Sequence, residues 1–68
     1  MKFAERLKEL RTEKGALQKD IAAYLGITTK AYNFYELGQR EPNLSTLCKL
    51  CDFFEVSADY LLGRVDSY

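Results

Sequence analysis

The sequence contains no histidine, only one proline and one methionine, and just two cysteines in 68 residues. Histidine is the side chain that most readily moves protons near neutral pH, so general acid–base catalysis lacks its usual agent. Cys48 and Cys51 form a C-x-x-C. With no histidine and no second cysteine pair, a four-ligand zinc site would need a second copy of the chain. No Gly-rich phosphate loop occurs, and the carboxylates are scattered rather than paired. No catalytic centre, metal, cofactor or small-molecule substrate is therefore expected. An apolar run of about 18 residues is also missing, so no segment is expected to span a membrane. The start, Lys2-Phe3-Ala4-Glu5-Arg6, carries charge at helical spacing instead of the apolar stretch of a secretory signal, which points to the cytoplasm. Excess charge is missing too, because ten basic and ten acidic side chains cancel. Nucleic-acid binders are often basic, so the sum alone speaks against that class.

The distribution of charge says more than the sum. Residues 1–40 hold eight Lys or Arg against five Asp or Glu, a balance of +3. Residues 41–68 hold two (Lys49, Arg64) against five (Glu41, Asp52, Glu55, Asp59, Asp66), a balance of −3. Such asymmetry suits one face for an anion and another for solvent or a partner. Apolar residues make up 47% of the chain, ordinary for a globular protein, so a folded core is expected. The length leaves room for one domain, 1–68, which buries only about 60% of its unfolded surface.

Strand-like alternation is absent, and short polar breaks separate five helical segments. The first runs from about Lys2 to Lys14 with Phe3, Leu7 and Leu10 on one face and Gly15 as its stop. The second covers Gln18 to about Leu25, turns Ile21, Ala22 and Leu25 inward, and ends at Gly26. Thr28 suits the N-cap of the third, which runs from Thr29 towards Gly38 with Tyr32 and Tyr35 inward. Pro42 then keeps Glu41 out of the helical region. The fourth starts near Asn43 or Leu44 and ends near Glu55, with Leu44, Leu47, Leu50, Cys51 and Phe54 as its apolar stripe. Ser57 caps the fifth, Ala58–Leu62, and Gly63 closes it. Between the second and third segments the turn is so short that the two helices must cross steeply, as in a helix-turn-helix unit. Ala22 fits there because a small side chain permits close approach.

Taken together, Lys14-Gly15, Gln18, Ile21-Ala22, Leu25-Gly26-Ile27-Thr28, Tyr35-Glu36-x-Gly38, Arg40-x-Pro42 and Val56-Ser57-x-Asp59-Tyr60-Leu61-Leu62-Gly63 resemble the Cro/C1-type (XRE-like) helix-turn-helix family of bacterial and phage repressors. The resemblance covers nearly the full length. It implies an all-α, five-helix, lambda-repressor-like fold, dimeric on DNA, that regulates transcription by reading bases with the third helix. It also implies base contacts from Thr28, Thr29, Lys30 and Asn33, to which Phe34 on the same helix is added as a candidate, and phosphate contacts from Gln18 (side chain and helix amide), Lys19, Gln39 and Arg40. Arg11 and Glu36 match a partly buried ion pair that ties the first helix to the end of the third. The chemistry is compatible, since Asn can bond adenine, Lys can donate to guanine and Thr can touch a thymine methyl.

Some positions depart from the family pattern. Leu17 stands where a Ser or Thr cap is usual, and Ala16 where a larger core residue is usual, leaving open which of the two turns inward. Phe34 and Leu37 replace polar or basic residues. The simplest expectation is that the core rotates slightly and takes Phe34 in. Alternatively, Phe34 packs on a thymine methyl or sugar, or forms with Leu37 a protein-binding patch. The last option carries the competing function, a protein-interaction module on the same fold acting as an antirepressor or partner subunit. Cys48 and Cys51 are expected to be small buried thiols near the core stripe, with a thiol redox sensor as the other reading. Val65 and Tyr68 have no evident place in so small a core, so the fifth helix and the tail are the candidate dimer surface.

Overall fold

A computed structural model describes residues 2–68, and Met1 lies outside the described residues. The elements are α1 (Phe3–Lys14), α2 (Gln18–Leu25), α3 (Thr29–Glu36), α4 (Leu44–Phe54) and α5 (Ala58–Leu61), with no strand among the described residues. Local chemistry sets most of the boundaries. The side chains of Thr28, Asn43 and Ser57 accept bonds from the amides of Ala31, Thr46 and Tyr60, which caps α3, α4 and α5. Gly26, at φ 74°, lets the chain turn tightly from α2 towards α3. The turn after α4 uses the same left-handed conformation at Glu55, φ 56°, without a glycine.

The core draws on every helix: Phe3, Leu7 and Leu10 of α1, Ile21, Ala22 and Leu25 of α2, Tyr32 and Tyr35 of α3, Leu50 of α4 and Leu61 of α5. α1 packs against α3, α4 and α5, and α2 packs against α3 and α4. Burying each large aliphatic side chain contributes about 1.5–3 kcal/mol. Ala22 is almost completely buried and Tyr32 completely so.

Several expectations change. Leu44 was expected in the apolar stripe but is 80% exposed. It is the first residue of α4, so its side chain stands beyond the packed part of the helix. Leu47, Cys51, Phe53 and Phe54 pack on the core around Leu50 instead, and Phe53 lies against Tyr24 with ring centroids 5.1 Å apart. Cys48 is exposed rather than buried, because the inward row of Leu47, Leu50 and Cys51 turns it away from the core. Burial, with Cys48 and Asp52 adding to it, pushes the Cys51 thiol up, which makes it a poorer thiolate. Ala16 packs against the core while Leu17, in extended backbone, is 54% exposed.

The tail folds back onto α1 and α5. Arg6, buried in α1, donates to the main-chain oxygens of Tyr60 and Val65 and, at 2.9 Å, to the Asp66 carboxylate. Its guanidinium also lies over the Tyr60 ring, 4.2 Å from the centroid. The Tyr68 ring packs on Tyr60 at 4.7 Å. Tyr68 thus has an intramolecular seat, although it and Val65 stay largely exposed.

Candidate nucleic-acid interface

The second helix begins without a cap. Leu17 has no oxygen to offer, and α2 has no side-chain bond at its N-terminus. The amides of Asp20 and Ile21 both reach back to the Leu17 carbonyl, at 3.1 and 3.3 Å. Those of Gln18 and Lys19 have no acceptor among the described residues. Unpaired first-turn amides carry the positive end of the helix dipole and suit an anion, with Lys19 adding a full charge. Asp20 in the same turn offsets part of it.

A polar chain fastens this helix start to α3. Arg11 holds Glu36 with two bonds, Nε to Oε2 at 2.6 Å and Nη2 to Oε1 at 3.2 Å. A third donor, Nη1, reaches the Ala16 carbonyl at 3.2 Å and so braces the loop that precedes α2. The Glu36 side chain is only 3% exposed and that of Arg11 19%. Gln18 Nε2 donates to Glu36 Oε1 at 3.0 Å and to Asn33 Oδ1 at 2.9 Å. Burial works against the Glu36 carboxylate, but Arg11, the neighbouring Tyr32 hydroxyl and Gln18 outweigh it and hold Glu36 below the ordinary carboxylate range. The Tyr32 hydroxyl is buried beside the same carboxylate, and no hydrogen-bond partner within full bonding geometry is found for it among the described residues. Burial and that negative neighbour push the phenol well above its ordinary range, so it stays neutral.

The outward side of α3 is open. Thr28, Thr29 and Lys30 are exposed, and Asn33 is half-buried at the edge next to Gln18. The Thr28 oxygen already accepts from Ala31, so its hydroxyl proton and one lone pair remain for an outside partner. Phe34 is half-buried and outside the core cluster, contrary to the expectation that the core takes it in. The reason is angular: with Tyr32 and Tyr35 inward, Phe34 falls on the outer arc of the helix. The Arg40 guanidinium covers its ring, 5.5 Å from the centroid. Gln39 is exposed, and its amide closes the end of α3 on the Phe34 carbonyl at 2.9 Å.

Lys19, Lys30, Gln39 and Arg40 are all exposed, so each keeps its donors for an outside partner. Gln18 is different. Asn33 and Glu36 use both hydrogens of its side-chain amide, which leaves the backbone amide as its free donor. The sequence reading missed this Gln18–Asn33 link. A signal existed, because α2 and α3 are joined by a steep short turn and Gln18 opens the helix that packs on α3. The Arg6 anchor had no such signal, because its first two acceptors are main-chain carbonyls.

The sequence profile of the helix-turn-helix family matches residues 7–61. The chain belongs to the helix-turn-helix family. Among curated relatives, the SPbeta prophage-derived HTH-type transcriptional regulator YonR of Bacillus subtilis is 52% identical over 60 residues, covering 88% of this chain and 56% of the relative. Among solved structures, a transcriptional regulator from Listeria innocua superposes with a TM-score of 0.88 at 33% identity, covering 97% of this chain and 62% of that one. The DNA-binding domain of the P22 C2 repressor gives a TM-score of 0.81 at 28% identity, covering 88% and 79%. The fold is therefore that of the repressor-type helix-turn-helix, with α2 and α3 as the helix-turn-helix pair. The chain spans about half the length of the curated relatives it matches. No described helix is long and apolar enough to cross a membrane.

Proposed function

We propose that this chain is a sequence-specific double-stranded-DNA-binding unit of a transcriptional regulator, a repressor that acts in the cytoplasm and has no enzymatic activity of its own. One observation carries the reading: the 2.9 Å bond from Gln18 to Asn33 joins an uncapped helix start, with two amides that have no acceptor among the described residues, to the outward side of α3. A phosphate at the α2 N-terminus and a base edge at α3 are then within reach of one duplex. In this reading Lys30 and Asn33, with Thr28, Thr29 and Phe34, face the major groove. The Gln18 amide, Lys19, Gln39 and Arg40 hold phosphates. A homodimer spaces two such helices about 34 Å apart on two half-sites.

The test compares specific and random duplexes at several salt concentrations. Lys19→Ala should weaken both alike and flatten the salt dependence. Lys30→Ala and Asn33→Ala should each relax preference at one base pair by about 1–3 kcal/mol. Equal losses on both duplexes for both kinds of variant would defeat the assignment of roles. The competing reading, a protein-interaction module, is favoured by one feature: Leu37 is 57% exposed at the end of α3, beside half-buried Phe34. It predicts no duplex binding at micromolar protein, even at low salt.

A further inference from the structure

Two carboxamides meet at the interface, and either could in principle present its oxygen or its nitrogen to DNA. The surrounding groups decide which. Arg11 can only donate, and an ionised Glu36 can only accept. Gln18 must therefore turn its nitrogen towards Glu36, where Nε2 lies 3.0 Å from Oε1. The same nitrogen reaches Asn33 at 2.9 Å, so Asn33 must answer with Oδ1. Its own nitrogen is left on the side away from Gln18. Reversing Asn33 would set two donors against each other. Reversing Gln18 as well would set an oxygen against the Glu36 carboxylate. The polarity is thus passed outward in three steps from an ion pair whose carboxylate is almost fully buried.

We infer that Asn33 is a specificity-determining residue that meets its base with an N–H on its outer edge, and that Arg11, Glu36 and Gln18 are positioning residues that set this polarity without touching the base. The inference rests on the DNA-binding reading above. Its consequence follows from the major-groove code. A and G offer an acceptor at N7 and T offers one at O4, whereas C offers only the N4 donor. Cytosine is excluded beneath Asn33, and it is readmitted once Asn33 is free to turn over.

The experiment has two arms. In the first, labelled protein without DNA is studied by NMR. The Gln18 side-chain amide protons should exchange slowly and show contacts to Asn33, while the Asn33 side-chain protons exchange freely. The reverse pattern overturns the relay. In the second, binding is selected from randomised duplexes, and the base pair read by Asn33 is found as the one whose preference vanishes in Asn33→Ala. There, the wild type should bind cytosine about tenfold more weakly than the preferred base, and near-isosteric Glu36→Gln should bring the ratio close to one while other positions keep their preferences. Cytosine accepted by the wild type, or an unchanged penalty in Glu36→Gln, overturns the readout. If Glu36→Gln does not fold, Asn33→Asp takes its place. It keeps an acceptor for Gln18, loses the outward donor, and should turn the cytosine penalty into a preference. A wild type that binds no duplex at all defeats the regulator reading, and the NMR arm still decides the relay.

Discussion

Arg11 and Arg6 leave the same helix and fasten two different regions of the molecule by different means. Arg11 ties α1 to α3 through the carboxylate of Glu36, an ion pair with its negative end buried. Arg6 ties α1 to α5 and the tail mainly through main-chain carbonyls, and its one carboxylate, Asp66, is 94% exposed. The helix-turn-helix side therefore depends on a charge that must stay ionised out of water. The α5 side depends on neutral acceptors that do not titrate. Losing a partner from a buried ion pair leaves an uncompensated charge, whereas an exposed pair is worth little.

The sharpest way to break this contrast is to remove each anchor in turn. Glu36→Ala should cost about 3 kcal/mol in urea denaturation, because Arg11 is left partly buried without its counter-ion. It should also loosen the start of α2, read as faster amide exchange around Gln18. Arg6→Ala should cost somewhat less, about 2 kcal/mol, because the Val65 carbonyl loses its donor and the Tyr60 ring loses its cation, while the Tyr60 carbonyl keeps the Gly63 amide at 3.0 Å. That loss should fall on α5 and the tail. Asp66→Ala should barely change stability. If it matched Arg6→Ala, the α5 side would be ionic after all.

Acid sharpens the comparison further. Glu36 has its folded pKa below its ordinary value of 4.5. Its contribution is therefore complete above about pH 4.5 and disappears as pH falls through the lower, folded value. Thermal midpoints measured down this range should drop for the wild type and drop less for Glu36→Gln. Amide exchange should place the early opening at α2 and α3 rather than at α5.

The two regions also differ in how much of them could be read from the sequence. Helix caps and glycine stops are local, so α2 and α3 fall where Gln18, Gly26, Thr28 and Gly38 put them. Leu44 and Cys48 went astray because apolar spacing gives the angle around a helix but not whether anything lies opposite. Leu44 sits at the open end of α4, and Cys48 lies just off the inward row. Leu17 and Ala16 could not be separated, because the choice depends on an extended backbone at the N-cap that either residue tolerates. Arg6 reads as one more charged residue on an amphipathic helix until the main chain of residues 60–65 curls round to meet it. Within the candidate interface, residue types were legible, but the direction in which each amide points depends on a neighbour from another helix.

The joint between α4 and α5 offers something practical. At Glu55 the chain adopts a left-handed turn, the only one among the described residues made without glycine. A Cβ there is under strain, so Glu55→Gly should raise stability by about 0.5 kcal/mol once the extra freedom of glycine in the unfolded chain is deducted. The measurement is the shift in urea midpoint at constant slope. Because α3 and the start of α2 are untouched, such a protein would serve as a sturdier host in which the costlier substitutions at the ion pair can be studied while the chain remains folded.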